Sequence, residues 1–242
     1  MTRVALQPAY VLHGKPYRDT SLLIEAFTPQ HGRLGLVARG ARAAKSRLRS
    51  LLQPFRPLLM SWIGRGDLLT LGAAEEHGAV PVLRGDALLS GFYLNELLLR
   101  LLQRHDPHPA LFGRYDAALR VLAEYGHQDT GLQCVLRGFE RHLLQEIGYG
   151  LVLDRDVVTG LPIAAEGVYR YDLERGPVRY AGGDANLVLH GRSLIALAGD
   201  ALDDAVVLRD AKRLLREALA RQLGPQPLRS RELYNELKDG FA

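Results

Sequence analysis

The sequence contains a single cysteine, Cys134, among its 242 residues. One thiol cannot form a disulfide within the chain, which is the usual situation in a reducing compartment. No run of about 18 uncharged apolar residues is present, so a helical membrane span is excluded. The N-terminal residues lack the apolar stretch of a secretory signal. These absences predict a cytoplasmic protein, and the 47% hydrophobic content predicts a globular one.

Catalytic motifs are also missing. The chain has no phosphate-binding glycine loop that ends in Lys-Ser/Thr, no dinucleotide-binding glycine motif, no nucleophile elbow and no H-E-x-x-H helix. His105 and His108 have ligand-like spacing, but they lie in a loop broken by Pro107 and Pro109 without a nearby cysteine, whereas tetrahedral zinc needs four ligands. Pairs of neighbouring carboxylates occur, and such pairs are usually solvated turns or helix caps. The sequence therefore predicts no enzymatic activity, no metal site and no cofactor.

Acidic residues are scarce in the first 66 residues, which hold eleven Lys and Arg against only Asp19 and Glu25. This part of the chain carries a net charge of +9, although the whole chain carries only +4. The remaining residues therefore sum to −5. Such an asymmetry predicts a basic module that binds a polyanion, attached to a mildly acidic body.

Short apolar runs separated by turn-forming segments predict strands in the first 80 residues. Five runs in this length are too few for a β-sandwich and are typical of a small closed barrel such as an OB-fold. The predicted strands cover residues 9–12, 21–27, 34–37, 57–63 and 67–71.

The hydrophobic period changes after Pro81, where leucine-rich segments follow helical spacing. Between them, residues 168–171 and 178–180 alternate like a small hairpin. The predicted fold class is therefore α+β, with a barrel followed by a helical bundle. The predicted helices cover residues 86–103, 110–125, 129–148, 203–223 and 230–238.

A basic stretch, Arg39 to Arg49, lies between the third and fourth predicted strands and contains neither an acid nor an aromatic residue. One interpretation is a solvated loop. The other is a phosphate-binding loop, which the uncompensated charge and the position on a candidate OB barrel favour. Tyr17, between Lys15 and Arg18, is the aromatic residue that we expect to be exposed for stacking on a base.

Eight short motifs connect these segments to a known family. In sequence order they are YVLH at 10–13, DTSL at 19–22, GR at 32–33, VARGAR at 37–42, LQPF at 52–55, YLNEL at 93–97, IGYG at 147–150 and PLRSREL at 227–233. Each motif alone is unspecific. In this order and spacing they resemble the RecO family of recombination mediators over nearly the whole chain.

The resemblance implies an OB-fold at residues 1–80, a helical domain at 81–150 and 190–242, and a zinc-ribbon-like insert at 151–189. Where some relatives carry two cysteine pairs, residues 151–162 here read LVLDRDVVTGLP. We therefore expect the insert to be metal-free and structurally degenerate.

The resemblance further implies a nucleoid-associated protein that binds single- and double-stranded DNA and anneals complementary strands. It would act with RecR to help load RecA onto strands covered by single-stranded-DNA-binding protein (SSB), and it would contact the acidic C-terminal tail of SSB. We assign that tail to Arg137 and Arg141. The alternative is a protein-only adaptor that never contacts DNA. The residues assigned to DNA are Lys15, Arg18, Arg33, Arg39, Arg42, Lys45, Arg47 and Arg49.

Overall fold

The computed structural model describes residues 2–125 and 129–239. The chain divides into two compact units, one formed by Met1–Gly126 with Pro227–Ala242 and the other by His127–Gln226. Among the described residues, no helix is both long enough and apolar enough to cross a bilayer. The limits of these two units do not test the predicted domain boundaries at residues 80, 150 and 189, which stay predictions.

Eight strands and seven helices are described, and their labels follow chain order. The strands are β1 (Thr2–Tyr17), β2 (Ser21–Thr28), β3 (Gly32–Ala38), β4 (Leu58–Gly64), β5 (Leu68–Glu76), β6 (Val168–Asp172), β7 (Gly176–Arg179) and β8 (Val188–His190). The helices are α1 (Leu48–Leu51), α2 (Gly85–Leu101), α3 (Pro109–Glu124), α4 (Asp129–Glu146), α5 (Gly191–Ala198), α6 (Ala205–Leu223) and α7 (Arg229–Asp239).

The first five strands close into a barrel in the order β1-β2-β3-β5-β4. Strands β3 and β5 are parallel, with Leu36 opposite Leu69, and the other neighbours are antiparallel. A closed five-stranded barrel with one crossover of this kind is an OB-like fold. The predicted α+β class with an N-terminal OB barrel is confirmed.

Strand β1 is much longer than the predicted run at residues 9–12. Its first half pairs with β4 and its second half with β2, so one strand serves two partners. The register shifts between Val4 and Gln7 and again between Val11 and His13, and such bulges allow a strand to bend. The length of β1 could not be predicted from the sequence, because Pro8 interrupts the alternation of apolar and polar residues and proline is unusual inside a strand.

The connection between β3 and β4, residues 39–57, is anchored in the barrel at two points. Ala41 is fully buried and Leu52 is 3% exposed, and both belong to the apolar core inside the barrel. Leu48 and Leu51 of α1 pack against the same core. The polar residues between these anchors are therefore held at the surface of the barrel.

An aromatic cluster joins the barrel to α3 within the first unit. The ring of Tyr10 lies 5.7 Å from that of Phe112 and 5.1 Å from that of Tyr115, while Phe27 lies 5.4 Å from Phe112. The Tyr10–Tyr115 pair is edge-to-face and the other two are tilted, and such aromatic contacts add to the apolar burial. Asn95 of α2 completes the contact, because its side-chain amide donates to the carbonyl of Leu12 at 2.9 Å.

Helix α7 returns to the first unit and is held there at its N-terminus. The carboxylate of Glu96 on α2 accepts hydrogen bonds from the backbone N–H groups of Arg229 and Ser230, both at 2.9 Å, and from the Ser230 hydroxyl at 2.6 Å. A carboxylate at a helix N-terminus satisfies free N–H groups and complements the helix dipole.

The second unit contains α4, α5 and α6 together with a three-stranded sheet in the order β7-β6-β8. The predicted hairpin corresponds to β6 and β7, which pair from Tyr169 opposite Arg179 to Asp172 opposite Gly176. Strand β8 and α5 were not predicted. They are three and eight residues long, too short for a clear hydrophobic period.

A single carboxylate organises residues 154–163 of this unit. The side chain of Asp156 accepts backbone N–H groups from Val158 at 2.8 Å, Thr159 at 2.9 Å and Arg179 at 2.6 Å. These bonds stabilise the ionised form and lower the pKa of Asp156. The turn is thus fixed by one buried acid, and the likeness of this segment to a zinc ribbon stays a prediction.

We expect Asp156→Asn to lower the free energy of unfolding by about 1–3 kcal/mol at neutral pH, because an amide nitrogen would face the Arg179 N–H. Since the pKa of Asp156 is lowered in the folded state, the stabilisation is present above the ordinary value of 3.8 and is lost as the pH falls through the folded value. Urea unfolding between pH 7 and pH 3 measures both effects.

The matched control is Asp154→Asn, whose exposed carboxylate pairs with exposed Arg155 and should change stability by no more than about 0.5 kcal/mol. Equal stabilities of the two variants at neutral pH would contradict the role assigned to Asp156.

Candidate nucleic-acid interface

A groove of about 520 Å³ opens on the surface of the barrel. The turn between β1 and β2 and the start of the β3–β4 connection form its walls, and β5 lines it together with single residues of β1, β2 and β3. In OB-folds, oligonucleotides bind to the face of strands 2 and 3 and to the loops between strands 1 and 2 and between strands 4 and 5, and the groove shares the β1–β2 turn with that surface. We call it the barrel groove, and its lining residues are Tyr17, Arg18, Thr20, Ser21, Val37, Arg39, Gly40, Leu68, Leu69 and Thr70.

The turn between β1 and β2 presents an aromatic ring together with a cation. The Arg18 guanidinium lies over the Tyr17 ring, 5.3 Å from its centroid. Tyr17 is half-buried and Arg18 is exposed. Aromatic faces and arginine planes are the groups on which unpaired bases stack, so this pair could hold a base at the edge of the barrel groove.

Four cations follow along residues 39–49, which we call the basic connection. Within the described residues, none of their side chains forms a hydrogen bond or an ion pair, and all four are exposed. The basic connection contains no acid. Its charge is therefore available to neutralise phosphates. The four residues are Arg39, Lys45, Arg47 and Arg49.

Arg42 lies in the same stretch but has partners within the protein. Its Nη1 donates to the carbonyl oxygens of Arg18 at 3.2 Å and Asp19 at 3.3 Å. Its backbone N–H donates to the carbonyl of Thr20 at 2.7 Å. These bonds tie the basic connection to the β1–β2 turn.

Arg33 is also bound within the fold. Its Nη1 pairs with Glu25 at 2.9 Å, and its Nε donates to the carbonyl of Leu102 at 3.2 Å. The second oxygen of Glu25 accepts from Arg104. Lys15, by contrast, is exposed on β1 opposite Leu23 of β2. The residues assigned to DNA are therefore not one surface, since Arg33 belongs to a half-buried ion-pair cluster.

The two arginines assigned to the SSB tail lie in α4 of the second unit, and both make internal ion pairs. Arg137 is 4% exposed and its Nη2 donates to buried Glu140 at 2.6 Å. Arg141 forms a two-pronged pair with Asp200 at 3.1 and 2.8 Å. A peptide carboxylate would have to compete with Asp200, and the assignment of both residues stays a prediction.

Reasoning from the sequence overlooked several polar residues of the barrel, three of which line the barrel groove. The hydroxyls of Thr20, Ser21 and Thr70 line it but have no charge or motif that would single them out. Arg65 is exposed in the β4–β5 loop, between two glycines with positive φ. The position of Arg65 in the predicted barrel could have identified it as a candidate DNA-binding residue, because the loop between strands 4 and 5 also contacts ligands in OB-folds.

Comparison with known proteins identifies the family. Residues 1–78 match the family model described as Recombination protein O N terminal, and residues 83–232 match Recombination protein O C terminal. The chain belongs to the RecO family. The prediction made from the eight sequence motifs is therefore confirmed.

The RecO relatives match over nearly their full lengths, and each of the following is named DNA repair protein RecO. The protein of Nitrosococcus oceani is 53% identical over 237 residues, which is 98% of this chain and 95% of the relative. That of Alkalilimnicola ehrlichii is 49% identical over 97% of this chain and 92% of its own. That of Methylococcus capsulatus is 47% identical over 96% and 94%. Both units are thus covered by the match.

We expect Arg33→Ala to lower the free energy of unfolding by about 1–2 kcal/mol, because it removes a half-buried ion pair and the hydrogen bond to Leu102. Arg39→Ala, one residue past the end of the same strand, removes an exposed cation and should change stability by no more than about 0.5 kcal/mol. Chemical unfolding of the two variants makes the comparison. Wild-type stability of Arg33→Ala would show that the ion-pair cluster contributes nothing to the fold.

Proposed function

We propose that this RecO-family protein acts in DNA repair by binding DNA through the barrel groove and the basic connection. The observation that carries the proposal is that the basic connection begins at the groove. Its four exposed cations have no partner in the described part of the chain, and the edge of the groove carries the Tyr17–Arg18 pair. Arg39 belongs to both features. Phosphates would lie along the basic connection while a base enters the groove.

This arrangement favours unpaired strands over duplexes and does not distinguish one base sequence from another. The cations contact phosphates, which carry no base information. Stacking on Tyr17 accepts any base, because every base has a π-face. A duplex could still bind to the cations, although its stacked bases would not reach the groove. We therefore expect tight binding of single strands, weaker binding of duplexes and little sequence preference.

Strand annealing follows from the same charge distribution. Two single strands repel one another, and a surface that neutralises the phosphates of one strand reduces that repulsion. We propose that the protein anneals complementary strands in this way and, together with RecR, helps RecA to load onto SSB-coated DNA. The support for these partners is the resemblance to the RecO family. No bond-breaking step is needed, so we propose a mediator and not an enzyme.

Replacing Lys45, Arg47 and Arg49 by alanine tests the phosphate contacts. If each residue meets one phosphate, the slope of log affinity against log salt on single strands should flatten by about 2, because each contact contributes about 0.7. The loss of affinity should be similar for unrelated oligonucleotides. Fluorescence anisotropy over a series of salt concentrations measures the slope.

The matched control is the triple replacement of Arg209, Lys212 and Arg216 by alanine, which removes the same charge from exposed positions of α6 in the second unit. If the slope of log affinity against log salt flattened equally in both triple variants, the barrel would not be the specific site of DNA binding. Absence of DNA binding by the wild-type protein would favour a protein-only adaptor.

The proposed contact with the SSB tail can be tested at Arg141, which is less deeply buried than Arg137. If Arg141 exchanges Asp200 for a peptide carboxylate, Arg141→Ala should weaken binding of an acidic tail peptide by about tenfold or more, as expected for a lost charge-assisted pair. Arg192→Ala, an exposed change on α5, is the control. Unchanged peptide affinity in Arg141→Ala would place the contact elsewhere.

A further inference from the structure

The two walls of the barrel groove are separate segments, and hydrogen bonds from Arg42 reach from one to the other. The guanidinium of Arg42 donates to the carbonyls of Arg18 and Asp19, and its backbone N–H donates to that of Thr20. All three acceptors belong to the turn between β1 and β2. The turn carries the aromatic–cation pair, whereas Arg42 lies two residues after Gly40, which together with Arg39 forms part of the other wall.

The backbone of Arg42 is well fixed relative to the barrel. Its neighbour Ala41 is fully buried in the barrel core, and Gly40 has a φ of +69°. This left-handed conformation, which favours glycine, reverses the chain after β3. The side chain of Arg42 therefore extends to the turn from a backbone position that is fixed on the barrel.

The turn itself, which the pairing of Tyr17 with Ser21 closes at its base, is exposed. Arg18 itself has a φ of +52°, which is uncommon for a residue with a side chain and persists where the surroundings impose it. Both Arg18 and Asp19 are exposed, so burial contributes little to holding them. The hydrogen bonds from Arg42 add a restraint at the exposed end of the turn, beyond the strand pairing at its base.

We propose that Arg42 is a positioning residue, which holds the β1–β2 turn so that Tyr17 and Arg18 form a fixed wall of the barrel groove. This inference rests on the proposed DNA binding and divides the basic stretch into two roles. Arg39, Lys45, Arg47 and Arg49 meet phosphates directly, whereas Arg42 acts through the turn.

A double-mutant cycle separates positioning from direct contact. The probe is a fluorescent oligothymidylate, and the variants are Arg42→Ala, Arg18→Ala and their combination. We expect Arg42→Ala to weaken binding by about tenfold and Arg18→Ala by about threefold, with the double variant close to Arg42→Ala alone, because residues coupled in this way are non-additive. If Arg42 contacts a phosphate independently, the losses multiply to about thirtyfold, which overturns the proposal.

The control cycle pairs Arg18→Ala with Arg47→Ala, whose exposed side chain has no partner in the described part of the chain. Since both residues are expected to act directly, their losses should multiply. Coupling in this cycle as strong as that of Arg42 with Arg18 would overturn the special role of Arg42.

A measurement without DNA tests the positioning itself. In the free protein, Arg42→Ala should speed hydrogen exchange of the amides in residues 18–21 several-fold, whereas Arg47→Ala should leave it unchanged. Thermal unfolding confirms that both variants remain folded. Unchanged exchange in Arg42→Ala would overturn the inference.

The two proposals fail in different ways. If the wild-type protein does not bind the oligonucleotide, the proposed function fails, and the positioning role that rests on it fails with it even where exchange shows that the turn is held. If binding occurs but the cycle is additive and exchange is unchanged, DNA binding stands and only the positioning role of Arg42 is wrong.

Discussion

Closure of the barrel depends on β1, which hydrogen-bonds to β4 with its first half and to β2 with its second half. Every part of the candidate site follows from this closure. The end of β1 leads into the turn that carries Tyr17 and Arg18, while the parallel pairing of β3 with β5 places Thr70 opposite Val37. Residues that are separated by some fifty positions thereby line one groove.

The fold also distributes its cations between two tasks. Glu25, one of only two acids in the basic N-terminal part, holds Arg33 and Arg104 in a half-buried cluster. Arg42 is bound to carbonyl groups. A guanidinium held in this way is less available to bind a phosphate than one surrounded by water. The net charge of this part of the chain therefore overstates the number of cations that can bind DNA. The cations that remain available concentrate in the basic connection.

Buried charged groups of the second unit also have partners within the protein, as buried polar groups generally require. Asp156 is satisfied by three backbone N–H groups, and the buried Arg137 pairs with Glu140. From the sequence, Arg137 is predicted to bind the SSB tail, and the structure adds that it also has a partner within the protein. The sequence shows the charge of a residue, but burial decides whether that charge faces a partner protein or the interior.

Local patterns were enough to predict strands β2 to β5, helices α2 to α4 and α6, and the position of the basic connection, because hydrophobic period and turn residues act over short stretches. The ordered motifs were enough to predict the RecO family. The length of β1, the short elements β8 and α5, and the partners of Arg33 and Arg42 were decided only by the tertiary structure. Residues 25, 33 and 104 meet only when the chain is folded, as do residues 18 and 42. A pairing between distant residues leaves no trace in the residues that flank either of them, and the fold alone brings the two together.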